Sequence, residues 1–315
     1  MKGFDKNVTN QMKAMAMMLM LAHHAWKVDG LESHYDGISS YMGILLQLGL
    51  FGKICVGIFL FLSGYGLVLT TSFRGGYSVF NRLKKTLPPF WFVILFYAPC
   101  LFLAGAVTLP EVMTDAILIT RNMDGSWWFM QTYVIFLICF PLFLRTLEHK
   151  KMWIPLLVLG LTVMQHAASW VRTYSDDLHN VLYYFPLFYV GMLAAKYSIF
   201  DWIERRRWWK RYGLFGIVLV VRFATGLHIL NLGLIMAMIT CLVDLQKYMS
   251  AGLKRTLNFL GLMSMNMWLM HMFFVDYGYH LSNPILDYIW MYCETLIAAY
   301  VVWWLYQHTV AKIIE

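Results

Sequence analysis

Stretches of about twenty mostly apolar residues recur along this chain, and no other feature of the sequence narrows its fold so far. A helix of about 20 residues crosses a hydrocarbon core of ~30 Å. Segments of this kind lie near 12–28, 50–70, 88–108, 127–145, 152–170, 181–199, 212–225, 228–246, 256–277 and 288–308. In lipid the backbone has to pair its own N–H and C=O groups, and a helix does this within one segment. Composition agrees, since 60% of the 315 residues are hydrophobic and 13% are charged, against roughly 25% charged in a soluble domain. The prediction is an all-α polytopic integral membrane protein of about ten transmembrane helices, forming a single transmembrane domain over 1–315. The first run, Met12 to Trp26, has no small-residue cleavage pattern and leads into further spans, so it reads as a retained helix.

Orientation follows from the basic residues, which concentrate in cytoplasmic loops. With ten spans, twenty of the 25 Lys and Arg residues fall on one side, including Lys6, Arg74, Lys150, Lys196, Arg205 and Lys254; Lys27, Lys53, Arg121, Arg172 and Arg222 fall on the other. The acidic residues run the opposite way, which predicts that both termini are cytoplasmic. The basic excess is spread over six short segments, so it is topological and excludes a nucleic-acid-binding patch. The run Asp201–Arg211 (DWIERRRWWKR) reads as an interfacial helix or turn, with Trp at headgroup level and Arg among phosphates. Cys55, Cys100, Cys139, Cys241 and Cys293 stand singly, which fits neither a disulfide framework nor a zinc site.

Ionisable groups within the spans mark candidate function, because burying them in lipid is costly. By this topology His23, His24, His34, His166, His179, His228, His271 and His280 lie in the outer half, and only His149 and His308 lie inside. Imidazole is a general base near neutral pH, so chemistry is expected towards the outer side. On the first helix Lys13 and His24 are eleven residues apart. That spacing sets them about 20° apart in azimuth and ~16 Å apart along the axis, a cation at one end and an imidazole towards the other. His23 is rotated about 80° from Lys13. Arg222 and Glu294 are further intramembrane charges in the outer half, expected to pair with one another.

Five phrases then occur in order along the chain: Lys13, ten residues, His24; Phe59-Leu60-Phe61-Leu62-Ser63-Gly64-Tyr65; Arg82-Leu83-Lys84-Lys85-Thr86-Leu87-Pro88; Trp127-Trp128-Phe129-Met130; and Leu260-Gly261 followed by Ser264, Trp268 and His271. In these the chain resembles, through its whole length, the bacterial acyltransferase-3 family of membrane-bound O-acyltransferases. The resemblance implies an enzyme of the bacterial cytoplasmic membrane. It would move an acyl group, commonly acetyl, from cytoplasmic acyl-CoA to a hydroxyl of an extracytoplasmic polysaccharide or lipid-linked sugar, with no metal. It further implies His24 as catalytic base with Lys13 as its motif partner, and Arg82, Lys85 and Lys84 as holders of the donor phosphates. Tyr133, Ser264, His271, Trp128, Arg222 and Glu294 are candidates to line the same cavity.

This sequence departs from the family pattern in having Lys where relatives carry Arg at 13 and 85, which keeps charge and loses bidentate geometry. It has Tyr133 where many relatives have Glu. Many relatives also carry an esterase-like domain after the last helix; here the chain stops at Glu315, so an extracytoplasmic transferase or esterase partner is expected to be a separate protein. The rival function is a transporter or flippase of a glycan or lipid-linked sugar, for which inverted repeats would be the signature; none is obvious.

Overall fold

The computed structural model describes residues 4–26, 42–163, 168–225 and 227–314. Lys2, Lys27, the stretch 29–41 of the predicted first outer loop with His34, and His166 lie outside them. Among the described residues the chain is helical and has no strand. In order the helices are α1 (Lys6–Ala25), α2 (Met42–Gly52), α3 (Ile54–Arg74), α4 (Val79–Leu103), α5 (Leu109–Ala116), α6 (Trp128–Glu148), α7 (Lys150–Thr162), α8 (Ala168–Arg172), α9 (Asp176–Lys196), α10 (Ile199–Glu204), α11 (Trp208–Thr225), α12 (Asn231–Leu245), α13 (Ala251–Tyr277), α14 (Pro284–His308) and α15 (Ala311–Ile314). A polytopic all-helical membrane protein is what the apolar runs predicted. Among the described residues five helical stretches are long and apolar enough to cross a bilayer: Met42–Arg74, Val79–Leu103, Gly125–Glu148, Asp176–Lys196 and Pro284–His308. Met152–Thr162 and Asn231–Leu245 are shorter apolar helices.

Local chemistry sets the helix starts. Asn283 Oδ1 accepts from the Ile285 and Leu286 amides at the head of α14, and Pro284 occupies the first turn, where its missing N–H costs nothing. Ser175 caps α9 by accepting from Leu178 N. Pro88, Pro89 and Pro99 fall inside α4. The apolar run near 212 predicted a span beginning there; α11 begins at Trp208. The basic run is thus divided between the end of α10, a turn at 205–207 and the first turn of α11. Trp202, Trp208 and Trp209 are exposed, and the Arg206 guanidinium lies 4.2 Å from the Trp202 ring centroid.

The described residues group into two compact units. The first comprises 1–12, 56–79 and 132–258. Its centre is the crossing of α3 and α9. A Cβ on Gly64 would run into the Phe188 carbonyl, and one on Gly191 would run into the Phe61 carbonyl. Two backbones in reciprocal contact leave room for hydrogen alone, the small-residue packing by which helices associate without a hydrophobic driving force. Around it Phe4 packs on Tyr65 and Phe200, and Tyr77 donates to the Leu137 carbonyl. Asp244 accepts from Tyr212 Oη and pairs with Arg211 at 3.1 Å. The second unit comprises 13–55, 80–131 and 259–315.

Gly64 of the Ser63-Gly64-Tyr65 phrase is therefore a packing residue. Gly64→Ala is expected to lower stability by roughly 1–3 kcal/mol, the usual cost of overpacking. Gly66→Ala, where a Cβ meets nothing within 4 Å, is expected to cost nothing. Thermal denaturation of both variants in detergent makes the comparison.

Candidate active site

The second unit holds a cluster of imidazoles. His23 and His24, the last polar residues of α1, have ring centroids 5.1 Å apart, and the His24 ring lies 5.0 Å from that of His271 on α13. His24 therefore packs against another helix of its own unit. Two glycines let α2 lie against α1 at this level. A Cβ on Gly52 would meet the Leu19 carbonyl and approach His23 Cβ to 3.1 Å, and one on Gly49 would sit 2.6 Å from the Trp26 carbonyl. The freed space places the Gly49 carbonyl 2.8 Å from His23 Nδ1. A carbonyl accepts only, so His23 carries its proton on Nδ1. From α14, Tyr288 donates to the Met18 carbonyl, and the Trp26 indole donates to the Pro284 carbonyl.

His271 is held more tightly. It is fully buried, and its Nδ1 lies 2.6 Å from the Trp268 carbonyl. The backbone around it is tied down by aromatic side chains. The Trp127 indole donates to the Leu269 carbonyl; Tyr97 Oη donates to the Met270 carbonyl and accepts from Phe273 N at 3.1 Å. Trp127 packs in turn on Phe90 and Tyr97, and Phe129 packs on Trp268. Ser264 is buried on the same helix, seven residues before His271, hence on the same face and about 10 Å along it.

Other expected residues lie elsewhere. Arg82 is half-buried and Lys84 and Lys85 are exposed near the start of α4, with Lys84 over the Phe80 ring at 5.4 Å. They precede Tyr97, whose hydroxyl reaches the His271 segment, by about 20 Å of helix. Lys13, also half-buried, is ~16 Å from His24 along α1. Glu294 is half-buried on α14. On that helix the Tyr292 hydroxyl and Thr295 Oγ1 are buried without a hydrogen-bond partner among the described residues. Tyr133 and Arg222 belong to the first unit, where Arg222 Nε donates to Asn231 Oδ1 at 2.9 Å. A depression lined by Phe4, Asp201, Glu204 and Arg211 also belongs to that unit and contains none of the expected site residues. Among the described residues no group of His, Cys, Asp and Glu side chains is arranged to hold a metal ion.

A family model described as an acyltransferase domain matches residues 9–308. The chain belongs to the acyltransferase-3 family. It is a multi-pass membrane acyltransferase. No curated protein and no solved structure matches it.

Of the Trp pair in this acyltransferase, Trp127 is buried and its indole donates to the Leu269 carbonyl of α13, and Trp128 is half-buried. Sequence reasoning named Trp128 as a cavity candidate and did not single out Tyr97, which bonds the α13 backbone. A Tyr twelve residues past Lys85 carries no spacing signal of its own; the pairing with α13 arises only when the helices pack.

The turn before α6 is built around two carboxylates. Asp115 is fully buried and accepts from Thr120 Oγ1, Asn122 N and Met123 N. Asp124, 4% exposed, accepts from Ser126 N and Oγ through Oδ1, while Oδ2 has no partner among the described residues. Burial pushes the Asp124 carboxyl up to about 7, opposed by the Ser126 hydrogen bonds and assisted by the Asp276 and Asp115 charges. The unfolded chain releases this proton at about pH 3.9. The folded value is the higher one, so the stabilisation from Asp124 is complete below about pH 4 and is lost as pH rises to about 7. Asp124→Asn keeps an acceptor for Ser126 and cannot ionise. Its thermal midpoint relative to the unmodified protein is expected to rise from about pH 5 to about pH 8; parallel profiles would contradict this.

Proposed function

We propose that this acyltransferase moves an acyl group, commonly acetyl, from cytoplasmic acyl-CoA to a hydroxyl of an extracytoplasmic polysaccharide or lipid-linked sugar, with His24 as general base. The observation that carries this reading is the His24 ring, on the helix that also bears Lys13, seated against the buried His271 ring. Neutral imidazole takes the hydroxyl proton as the oxygen attacks the thioester carbonyl. The new C–O bond forms, the C–S bond breaks, and the departing CoA thiolate takes up the proton from His24. Ester and free CoA result, and the base is regenerated. Activity rises with pH as His24 loses its proton.

The donor is charged and the acceptor lies across the membrane, so the two meet part-way. Arg82 and Lys85 are three residues apart, on one helical face, and with Lys84 they offer cations to the phosphates of CoA. The roughly 20 Å of helix between them and the level of His271 suits a donor bound by its phosphates at one end and reacting at the other. Lys13 adds charge along that path. Ser264, Tyr292 and Thr295 supply hydroxyls within the same unit. In this reading the chain spans the bacterial cytoplasmic membrane about ten times with both termini in the cytoplasm, and a separate extracytoplasmic transferase or esterase hands on the product.

His24→Ala is expected to lose at least 10²–10⁴-fold in rate with unchanged expression, measured as the acyl mass on cell-surface glycans and as CoA release from acetyl-CoA. His23→Ala is expected to retain transfer. An inactive His23→Ala beside an active His24→Ala would move the base one residue and leave the reaction standing. Lys13→Arg should be tolerated and Lys13→Ala should not. Charge reversal at Arg82 and Lys85 together is expected to raise KM for acyl-CoA; an unchanged KM would reduce the pair to topological anchors.

A further inference from the structure

His271 is a fully buried imidazole in the second unit. Its Nδ1 faces the Trp268 carbonyl at 2.6 Å. An oxygen that only accepts requires the proton on Nδ1, so Nε2 carries the lone pair. That Nε2 is buried and has no hydrogen-bond partner among the described residues. A Leu or Phe would fill the same volume without burying an unmatched acceptor. A donor group beside it is another imidazole, that of His24, ring centroid 5.0 Å away and tilted by 55°. The terminal torsion of histidine is broad, and a rotation of the His24 ring brings an N–H of one edge within reach of Nε2. The segment bearing His271 is meanwhile clamped by Trp127 and Tyr97 through the Leu269 and Met270 carbonyls.

We propose that His271 is the positioning residue for His24: its Nε2 accepts a hydrogen bond from one nitrogen of His24 and so determines that the other presents its lone pair to the acceptor hydroxyl. The role rests on His24 being the base. It is the task a carboxylate performs beside a catalytic histidine in hydrolases, here given to a neutral ring. At this depth a neutral acceptor escapes the desolvation cost of a buried carboxylate. When His24 holds the hydroxyl proton, the N–H to His271 becomes charge-assisted and strengthens, so the contact favours the reacting state over the resting one.

The test uses His271→Asn and His271→Gln, alone and with His24→Ala, in the full-length protein. The Asn amide reproduces the Nδ1–H bond to Trp268 and removes the acceptor; Gln returns an acceptor oxygen near the Nε2 position. Membrane vesicles containing each variant receive acetyl-CoA, and release of CoA thiol is followed per molecule of enzyme. Expected for His271→Asn is a loss in kcat on the order of 10–100-fold, the range for groups that orient a functional imidazole, at unchanged KM for acetyl-CoA. His271→Gln should recover part of the loss. In the His24→Ala background His271→Asn should cost nothing further, because the two act as one unit. Wild-type kcat in His271→Asn, equal damage in both substitutions, or losses that add in the double variant would each overturn the proposal. If the Asn variant does not fold, the same cycle run with His271→Gln decides, additive losses again overturning it. A fully active His24→Ala would instead remove the base reading itself, whereas an inactive His24→Ala beside an unimpaired His271→Asn removes the positioning role alone.

Discussion

Lipid cannot hydrogen-bond a backbone, and the architecture of this protein follows from that constraint. Each apolar segment satisfies its own amides as a helix, and the helices must then find reasons to associate that do not depend on excluding water. Two physical devices do so here. One is close approach at glycine, as where Gly64 meets the Phe188 backbone and Gly191 meets that of Phe61. The other is side chains that bond the backbone of a neighbouring helix, as where Trp127 reaches the Leu269 carbonyl, Tyr97 the Met270 carbonyl and Tyr288 the Met18 carbonyl. Helical carbonyls have a second lone pair to offer such donors.

The same devices shape the imidazole cluster. Gly49 and Gly52 bring the α2 backbone onto α1 so that a carbonyl meets His23, and the aromatic clamps fix the stretch of α13 that carries His271. Both His23 and His271 have Nδ1 turned to a main-chain carbonyl, which assigns their tautomers through the backbone and leaves each Nε2 as the basic nitrogen. A base that works in a low-dielectric site gains from this arrangement, because fixed partners need no reorganisation when the proton moves. Asp124 caps the short 3-10 turn Gly125–Trp127, from which the Trp127 indole reaches α13.

Much of the fold was legible in the sequence. Hydropathy pointed to an all-helical membrane chain because lipid rewards every apolar residue in a span alike; of the ten expected spans, five stretches among the described residues are long and apolar enough to cross. Boundaries were less legible. The basic run was read as one interfacial element, yet Arg211 lies inside α11 and pairs with Asp244 at 3.1 Å. A partner thirty-three residues away leaves no local signal.

For the site, the sequence by itself determined the chemistry available: an imidazole eleven residues beyond a lysine on one helix face, cations three apart at the head of another helix, and five phrases in the order of the acyltransferase-3 family. Helical periodicity links residues within one helix, and that is as far as spacing reaches. Only the tertiary structure decided that His24 meets His271 and that Trp127 and Tyr97 bond the backbone of α13. These contacts join residues from about 140 to 250 apart, and what brings them together is the fit of particular helix surfaces, glycine against carbonyl and indole against backbone, which no period in the chain encodes.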